Sequence, residues 1–275
     1  MTTVLAGTVL ALFAVAPSPL APRSSPPAPR TSLVAASTSQ AVNPKANLDK
    51  AEARQHYQSG NEALHHEKFE EAEREFQASI KLDPTFELAH YGLGQTYMAT
   101  KRYQDAVTAF QKCRDVYHAN SIADAADQTA RDQRIDDRIK ELEDQKRANQ
   151  ASRLPPGTVG AQLAQSQNRN IDIQLGSLRE ARHRQVTGPE PTPAWLSLAL
   201  GSAYFRSNSL PDAEREYKNA ITVNAQLGEA HNNLAVVYLM TDRAQEASAE
   251  LTAAEKAGFK VNPQLKEDIR AAVKK

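Results

Sequence analysis

Apolar residues recur along this chain at the spacing of amphipathic helices. Leu93 and Tyr97 lie one helical turn apart, and Val107, Phe110 and Cys113 fall on one face of the following segment at i, i+3 and i+6. Apolar positions at this period predict helices that bury one side and leave the other in water. A short polar turn separates the two segments, so the pattern predicts a pair of antiparallel helices.

The pattern returns with a period of 34 residues. In the first part of the chain the matching residues are Gly60, Ala72 and Phe76 with Gly94, Ala106 and Phe110. In the last part they are Leu200, Tyr204, Ala213 and Ala220 with Leu234, Tyr238, Ala247 and Ala254. A fixed period of this length indicates stacked helix pairs, each of which buries its apolar side against the next. The sequence therefore predicts an all-α fold, a solenoid of antiparallel helix pairs.

A charged segment separates the two repeat regions. Residues 121–150 contain no Gly or Pro and carry charges of both signs, which favours one long helix with a solvated face and leaves a short coiled coil as the alternative. The sequence Leu-Pro-Pro-Gly at 154–157 then breaks the chain, and a second helix is expected over 158–184. We expect a long helical hairpin over 121–187, followed by a Pro-rich linker at 188–193.

The predicted hairpin has a thin apolar stripe on each helix. Its members are Ile122, Ala126, Ile135, Ile139 and Leu142 in the first helix, and Val159, Leu163, Ile171, Leu175 and Leu178 in the second. About three repeats are usually needed to bury a continuous core, and each repeat region holds only two. We therefore expect the stripe to pack against a repeat pair.

The last residues, 262–275, predict one more helix. Leu265, Ile269 and Val273 give it a single apolar edge at i, i+4 and i+8, and its other faces are charged. A terminal helix with one apolar edge suits the end of a stacked array, where one side covers the last repeat and the others meet water. We interpret it as a capping helix.

The N-terminal segment has a different composition. The first 48 residues contain no Asp or Glu, and an apolar run at 4–16 is followed by many prolines. The run is shorter than the roughly 20 residues that a membrane-spanning helix needs. Residues 1–36 therefore resemble a signal peptide or other targeting segment, and 37–47 a disordered linker. This favours an exported, periplasmic or secreted protein, with an organellar or cytoplasmic location as the alternative.

Composition and motifs favour binding over catalysis. The chain has 33 basic and 33 acidic residues, so no net charge draws it to nucleic acid, and no stable membrane span is expected. Phosphate-binding loops, zinc-ligand spacings and nucleophile motifs are missing, so we expect no catalytic residue, no metal and no cofactor. His56, His90 and His231 hold the same position in three units, which favours packing. Cys113, the only cysteine, suits a buried position.

The repeating residues closely resemble those of the tetratricopeptide repeat family. The units that match are residues 53–86 and 87–120, within 48–120, and residues 194–227 and 228–261, which together make up 194–261. They are called repeats 1 to 4 below, and positions are counted from the first residue of each. The chain departs from the family pattern in three respects: Ala63 replaces the usual aromatic side chain of the first helix, Ala235 replaces a glycine, and only the first unit keeps the closing proline, Pro84.

The resemblance implies that the first helix of each pair, helix A, lines a concave surface that binds a peptide or a partner protein. The residues expected there are Tyr57, Asn61, Tyr91, Gln95, Met98, Trp195, Phe205, Asn232 and Asn233. Chaperone-binding relatives grip a terminal carboxylate with lysine and asparagine. Here Tyr57 and Gly92 replace two of those residues and only Asn61 matches, so that particular function is not expected.

The sequence leaves two alternatives to an open peptide-binding surface. Several of the same side chains would be covered if the hairpin over 121–187 packed into the concave surface. The protein could also be a structural spacer or a self-assembling subunit of an envelope complex, which leaves a homo-oligomer open. The leading hypothesis is a non-catalytic interaction module whose partner is a protein or a peptide.

Overall fold

The computed structural model describes residues 44–151, 159–182 and 190–274, and these residues form helices joined by turns, with no strands. The ten helices are α1 (Pro44–His65), α2 (Phe69–Leu82), α3 (Glu87–Ala99), α4 (Tyr103–Ala151), α5 (Val159–Arg182), α6 (Ala194–Arg206), α7 (Leu210–Val223), α8 (Gly228–Met240), α9 (Ala244–Lys256) and α10 (Pro263–Val273). The predicted all-α solenoid of helix pairs is confirmed. No helix of the described residues is both long and apolar enough to cross a membrane.

The N-terminal predictions lie mostly outside the described residues. The targeting segment 1–36 falls there entirely, as do residues 37–43 of the predicted linker. Helix α1 begins at Pro44, so the last four residues of that linker are helical. The chain forms two compact units. One holds the four helix pairs and the final helix, and the other comprises residues 118–190.

The same backbone turn joins the two helices of every pair. The residue at position 15 of every repeat has a left-handed backbone conformation, with φ of 57°, 62°, 64° and 57° at Glu67, Lys101, Asn208 and Asp242. The backbone N–H of the next residue donates to a carbonyl five residues back, as Arg102 N does to Tyr97 O at 2.8 Å. This bond closes the C-terminus of helix A and reverses the chain into helix B, the second helix of the pair.

The two helices of a pair approach closely because position 8 is small. A Cβ atom built on Gly94 would lie 2.5 Å from Cε1 of Phe110, and one on Gly201 would lie 2.6 Å from the Tyr217 ring. The aromatic residue at position 24 therefore fills the space that a side chain at position 8 would need. Repeat 4 departs at both positions, with Ala235 and Leu251 in the same buried core.

The second repeat does not end where the 34-residue period predicts. Helices α2 and α7 end before Asp83 and Asn224, whose side chains accept a hydrogen bond from the backbone N–H two residues on, at 3.0 Å in each case. Such turns end a helix by replacing its next backbone bonds. Repeat 2 has Tyr117 at the equivalent position 31. Helix α4 therefore continues through the predicted boundary at residues 120–121 to Ala151.

The two repeat regions stack directly on each other. Trp195 and Leu196 of α6 belong to the same buried cluster as Tyr91 and Phe110 of repeat 2. The Tyr91 and Trp195 rings meet edge to face, with centroids 4.7 Å apart. Repeats 2 and 3 therefore share one buried cluster. The half-buried Tyr57 and Tyr204 border it and also border the clusters of repeat 1 and of repeats 3 and 4, so at least three repeats are stacked. The expectation that the hairpin packs against a repeat pair stays a prediction.

Residues 118–190 have a small core of their own. Leu142 of α4 packs with Ile171 and Leu175 of α5, and Ile139 and Leu178 border them. Ion pairs flank this cluster, including Arg179–Glu143 at 2.8 Å and Arg182–Asp136 at 3.0 Å. Two members of the predicted stripe, Ile122 and Leu163, are more than half exposed instead. The Pro-Pro-Gly break lies outside the described residues, and so do residues 188–189 of the predicted linker.

The final helix covers the end of the array. Leu265 and Ile269 of α10 are buried in the core of repeats 3 and 4, and the Asn262 side chain caps the helix by accepting from Gln264 N at 2.9 Å. Val273, the third member of the predicted edge, is 40% exposed, and Ala272 packs on the core instead. The helix is thus anchored by Leu265, Ile269 and Ala272.

Candidate interaction surface

The helix A residues of repeat 1 combine an aromatic ring with an amide. The Tyr57 ring packs against Phe76 and Phe86, with centroids 5.9 and 5.1 Å away. Its hydroxyl is hydrogen-bonded to the side chain of Asn61, one turn later, and burial raises the pKa of Tyr57. Both side chains are half-buried. One edge of the ring and the amide therefore stay accessible from solvent.

Repeat 2 uses the same spacing, but its aromatic residue is buried. Tyr91 is hydrogen-bonded to Gln95, and burial raises the pKa of Tyr91 far above its usual value. Tyr91 is 3% exposed and Trp195 is 9% exposed, because each covers the other at the junction of repeats 2 and 3. These two predicted site residues therefore lie in the core between the repeats, and their burial argues against direct contact with a partner.

The remaining predicted residues are half-buried at the edges of the core clusters. Met98 packs beside the core of repeat 2, and Phe205 beside that of repeats 3 and 4. Asn232 donates to Asn233 Oδ1 at 3.3 Å, and Asn233 is also hydrogen-bonded to Tyr217. We call the half-buried set the helix A surface; its members are Tyr57, Asn61, Gln95, Met98, Phe205, Asn232 and Asn233.

The sequence of the helix pairs matches a known family. A family profile described as tetratricopeptide repeat matches residues 57–115 and 198–259, which cover the helix pairs on either side of the insertion. Both of these regions therefore consist of tetratricopeptide repeats. The family resemblance read from Gly60, Ala72, Phe76 and their counterparts is thereby confirmed.

Solved structures with the same repeats show only loose global similarity to this chain. A MamA structure is 15% identical over 74% of this chain and 91% of its own, with a TM-score of 0.27. YrrB, described as having an unusual peptide-binding site, is 15% identical over 83% and 95%, with a TM-score of 0.29. MamA from Desulfovibrio magneticus RS-1 is 17% identical over 79% and 97%, also at 0.29. Such low scores carry no argument about function. Among curated proteins, none matches the chain.

Two histidines of the repeats each contact a glutamate of their own helix pair. His56 Nδ1 lies 2.7 Å from Glu75 Oε2, and His231 Nδ1 lies 2.6 Å from Glu250 Oε2. Within the described ranges, no group of three or more His, Cys, Asp or Glu residues is arranged to hold a metal. Cys113 is completely buried, as the sequence predicts, and this burial raises the pKa of its thiol.

Two arginine sites in the repeats escaped the sequence analysis. Arg102 contacts Glu73 of the preceding helix B at 2.9 Å and lies over the Tyr97 ring, 4.2 Å from its centroid. The same arrangement recurs with Glu214, Tyr238 and Arg243, at 2.8 Å and 4.1 Å. The offset between the two sites is 243 − 102 = 141 residues. Comparing the repeat regions at that offset would have revealed them.

A buried ion pair at the junction also escaped the sequence analysis. Arg114 on α4 contacts Glu216 on α7 at 3.0 Å, and the Glu216 side chain is 2% exposed. Nearby, Gln111 donates to the Tyr204 hydroxyl at 2.6 Å. Both contacts join residues about a hundred positions apart in the chain, which a 34-residue period could not bring together. They fix how repeat 3 sits on repeat 2.

Proposed function

We propose that this protein is a non-catalytic scaffold that binds an extended segment of a partner protein on the helix A surface. Tetratricopeptide repeats make protein–protein interaction scaffolds, and this chain has four of them, with repeats 2 and 3 joined by one buried cluster. The observation that carries the proposal is the row of half-buried amides, one turn from packed aromatic rings. We infer the surface from these side chains.

Amide side chains suit the recognition of an extended backbone. Asn61, Gln95 and Asn232 each carry two N–H donors and a carbonyl acceptor, which can pair with the donors and acceptors of a peptide. Tyr57, Met98 and Phe205 supply apolar area beside them. A peptide gains affinity from hydrogen bonds to its main chain and gains specificity from the apolar contacts of its side chains.

Peptides selected from a random library for binding to the full-length protein test this proposal. We expect captured peptides to bind a double variant, Asn61→Ala with Asn232→Ala, about fivefold or more weakly, because the two lost hydrogen bonds together cost about 1–3 kcal/mol. Gln245→Ala is the matched control, because Gln245 is an exposed amide on helix B of repeat 4. Equal binding by the double variant and the wild type would place the site elsewhere.

A second function, a self-assembling spacer, is favoured by the inserted unit. Ile122, Leu163 and Ile173 are 57%, 59% and 73% exposed there, and such large apolar side chains favour association when they cluster. Sedimentation equilibrium of the full chain tests this alternative. A homo-oligomer that Ile173→Ser weakens would support it, and a monomer at all concentrations would reject it.

We also propose that the protein is exported, from the composition of residues 1–36. Sequencing the N-terminus of the protein recovered from its native cells tests this proposal. A mature N-terminus within or just after the targeting segment supports export, and an intact residue 1 in a cytoplasmic fraction contradicts it.

A further inference from the structure

Positions 4 and 23 of the repeats form a recurring pair. In repeats 1 and 4, a histidine at position 4 contacts a glutamate at position 23: His56 with Glu75, and His231 with Glu250. Repeat 3 keeps the glutamate, Glu216, which pairs with Arg114 instead. A carboxylate thus stands at position 23 of three repeats.

Repeat 2 keeps the histidine and lacks the carboxylate. His90 is 8% exposed, and position 23 is Ala109. The His90 Nε2 atom lies 3.3 Å from the Pro84 carbonyl oxygen. Its other ring nitrogen, Nδ1, has no hydrogen-bond partner among the described residues. The nitrogen that contacts a carboxylate in repeats 1 and 4 is therefore unpaired here.

A cavity stands where that carboxylate would be. It has a volume of about 410 Å³, and both His90 and Ala109 line it. Its apolar walls include Ile80 and Leu93. The cavity is an open groove, accessible to solvent along much of its length. The cavity lies between the helices B of repeats 1 and 2, and none of the helix A surface residues lines it.

The charged groups around the cavity are mostly basic. Lys81 comes from α2 and Lys112 from α4, and neither has a carboxylate partner among the described residues. Arg102 also lines the cavity, but it is paired with Glu73 and with Asp105, the acidic residue of the lining. Tyr97 completes the titratable groups that face His90. The cavity therefore places two ammonium groups without a carboxylate partner in the described part of the chain, Lys81 and Lys112, beside the unpaired nitrogen of His90.

The segments of the chain outside the described ranges cannot supply an acidic side chain to this cavity. Residues 1–43, 152–158 and 183–189 contain no Asp or Glu. Asp105 is the only acidic residue of the described chain that lines the cavity, and it is paired with Arg102, so we look for a carboxylate from another molecule. The open lining, with residues from α2, α3 and α4, suits a side chain carried on a polypeptide.

We propose that this cavity binds a Glu or Asp side chain of a partner protein, next to an apolar residue, with its carboxylate on His90 and Lys112. The partner's carboxylate takes the place that Glu75 and Glu250 hold in repeats 1 and 4. The bonds are charge-assisted, which makes them roughly twice as strong as neutral hydrogen bonds. The adjacent apolar residue covers Ile80 and Leu93.

Binding at this site takes up a proton. Burial, together with Lys112, lowers the pKa of His90, so the unbound ring is neutral near neutral pH. Because Nε2 donates to the Pro84 carbonyl, Nδ1 of the neutral ring carries no hydrogen. A carboxylate there stabilises the doubly protonated ring and raises the pKa of His90. Affinity should therefore increase as the pH falls toward the pKa of the free ring, while the ligand stays ionised.

The experiment uses the full chain and a short fluorescein-labelled peptide of alternating Glu and Leu, with a Gln–Leu peptide as its neutral counterpart. We expect the Glu–Leu peptide to bind, to shift the His90 ring resonances in the NMR spectrum, and to bind more tightly at lower pH. The Gln–Leu peptide should bind at least tenfold more weakly. Absence of binding by the Glu–Leu peptide, or binding that leaves the His90 resonances unchanged, overturns the proposal.

Ala109→Glu supplies the missing carboxylate from the chain itself. We expect this variant to lose at least tenfold in affinity for the Glu–Leu peptide, because its own glutamate occupies His90. Ala126→Glu is the matched control, because it adds the same charge at an exposed site on α4 and should bind as the wild type does. Equal affinity of the Ala109→Glu variant and the wild type overturns the assignment.

Two further measurements separate the sources of the carboxylate. Isocaproate carries a leucine-like chain and a carboxylate without a peptide. If isocaproate binds as tightly as the peptide, the site takes small carboxylic acids, and the assignment to a partner protein is wrong. His90 shifts that depend on protein concentration alone would assign the carboxylate to a second copy and also overturn it.

Discussion

At the residue scale, the glycine at position 8 and the aromatic ring at position 24 depend on each other, because the ring occupies the space next to the glycine. Gly60, Gly94 and Gly201 each face a ring, and an added Cβ would come within 2.5–2.8 Å of it. Repeat 4 has exchanged both members, with Ala235 and Leu251. A side chain at position 8 is therefore compatible with the fold when position 24 is smaller.

Gly94→Ala should destabilise the protein by about 1–3 kcal/mol, because the new methyl group overlaps the Phe110 ring in a packed core. Adding Phe110→Leu should recover part of that loss, so that the double variant is more stable than the sum of the two single effects predicts. Urea denaturation of the four proteins measures this coupling. Additive effects would show that the two positions are independent.

Gly176→Ala provides the control for this experiment. Gly176 lies on α5, and an added Cβ would meet no atom within 4 Å. Alanine is favoured over glycine inside a helix by roughly 1 kcal/mol, so this variant should be slightly more stable than the wild type. The difference in stability between Gly94→Ala and Gly176→Ala therefore measures the overlap with Phe110, separately from the general effect of replacing glycine in a helix.

Cys113 should resist modification in the folded protein. Its thiol is completely buried, and burial raises its pKa, so little thiolate forms at neutral pH. A maleimide reagent should react only after the repeats unfold, and its rate should follow the opening of the core. Rapid stoichiometric labelling without denaturant would contradict the burial of this residue.

At the scale of the elements, local signals predicted most helices and missed one boundary. The period placed four helix pairs, because small and aromatic residues recur wherever two helices touch. It also predicted an end near Asn120, where the chain instead stays helical. Helices α2 and α7 end at Asp83 and Asn224 because those side chains bond the turn. Tyr117 cannot do so, and this one residue decides the boundary.

The candidate surface was predicted less well than the fold. Sequence position assigns a residue to helix A, but it does not say which neighbour covers that residue. Tyr91 and Trp195 are 104 residues apart (195 − 91), and their mutual burial depends on repeat 3 following repeat 2 in space. The pair at Arg114 and Glu216 depends on the same contact. Long-range packing of this kind leaves no periodic signal in the sequence.

Trp195→Ala should cost about 3–5 kcal/mol, because a large buried side chain is removed from the junction of repeats 2 and 3. In a stacked array, cooperativity depends on contacts between neighbouring repeats. We therefore expect denaturation followed by far-UV circular dichroism to become broader or to separate into two steps. Trp195→Phe keeps a ring there and should have a smaller effect. A single sharp transition at the wild-type midpoint would contradict the role of this contact.

At the scale of the whole molecule, the inserted unit is an addition to an otherwise regular array. Repeat 2 ends at residue 120 and repeat 3 begins at residue 194, so the 34-residue phase is preserved when residues 121–193 are left out. The shared core of repeats 2 and 3 consists of residues from the repeats themselves. The array thus has a complete core without the insertion.

Replacing residues 117–193 with Asp-Pro-Thr-Phe, the turn of repeat 1, should give a folded four-repeat protein. The new turn supplies the helix-ending aspartate that Tyr117 lacks and restores the register between Val116 and Ala194. We expect cooperative unfolding and a blue-shifted Trp195 fluorescence that matches the full chain. Emission from a solvated tryptophan would show that the repeats need the insertion to stack.

The long separation between Tyr91 and Trp195 sets the timing of events during synthesis. A ribosome adds about 5–20 residues per second, so roughly 5 to 20 seconds pass between the emergence of these two rings. Throughout that interval, the nascent chain presents the apolar end of repeat 2 without its cover, while the insertion is being made. The interval is about three times longer than in an uninterrupted array. We therefore expect the nascent chain to be prone to aggregation until repeat 3 has emerged.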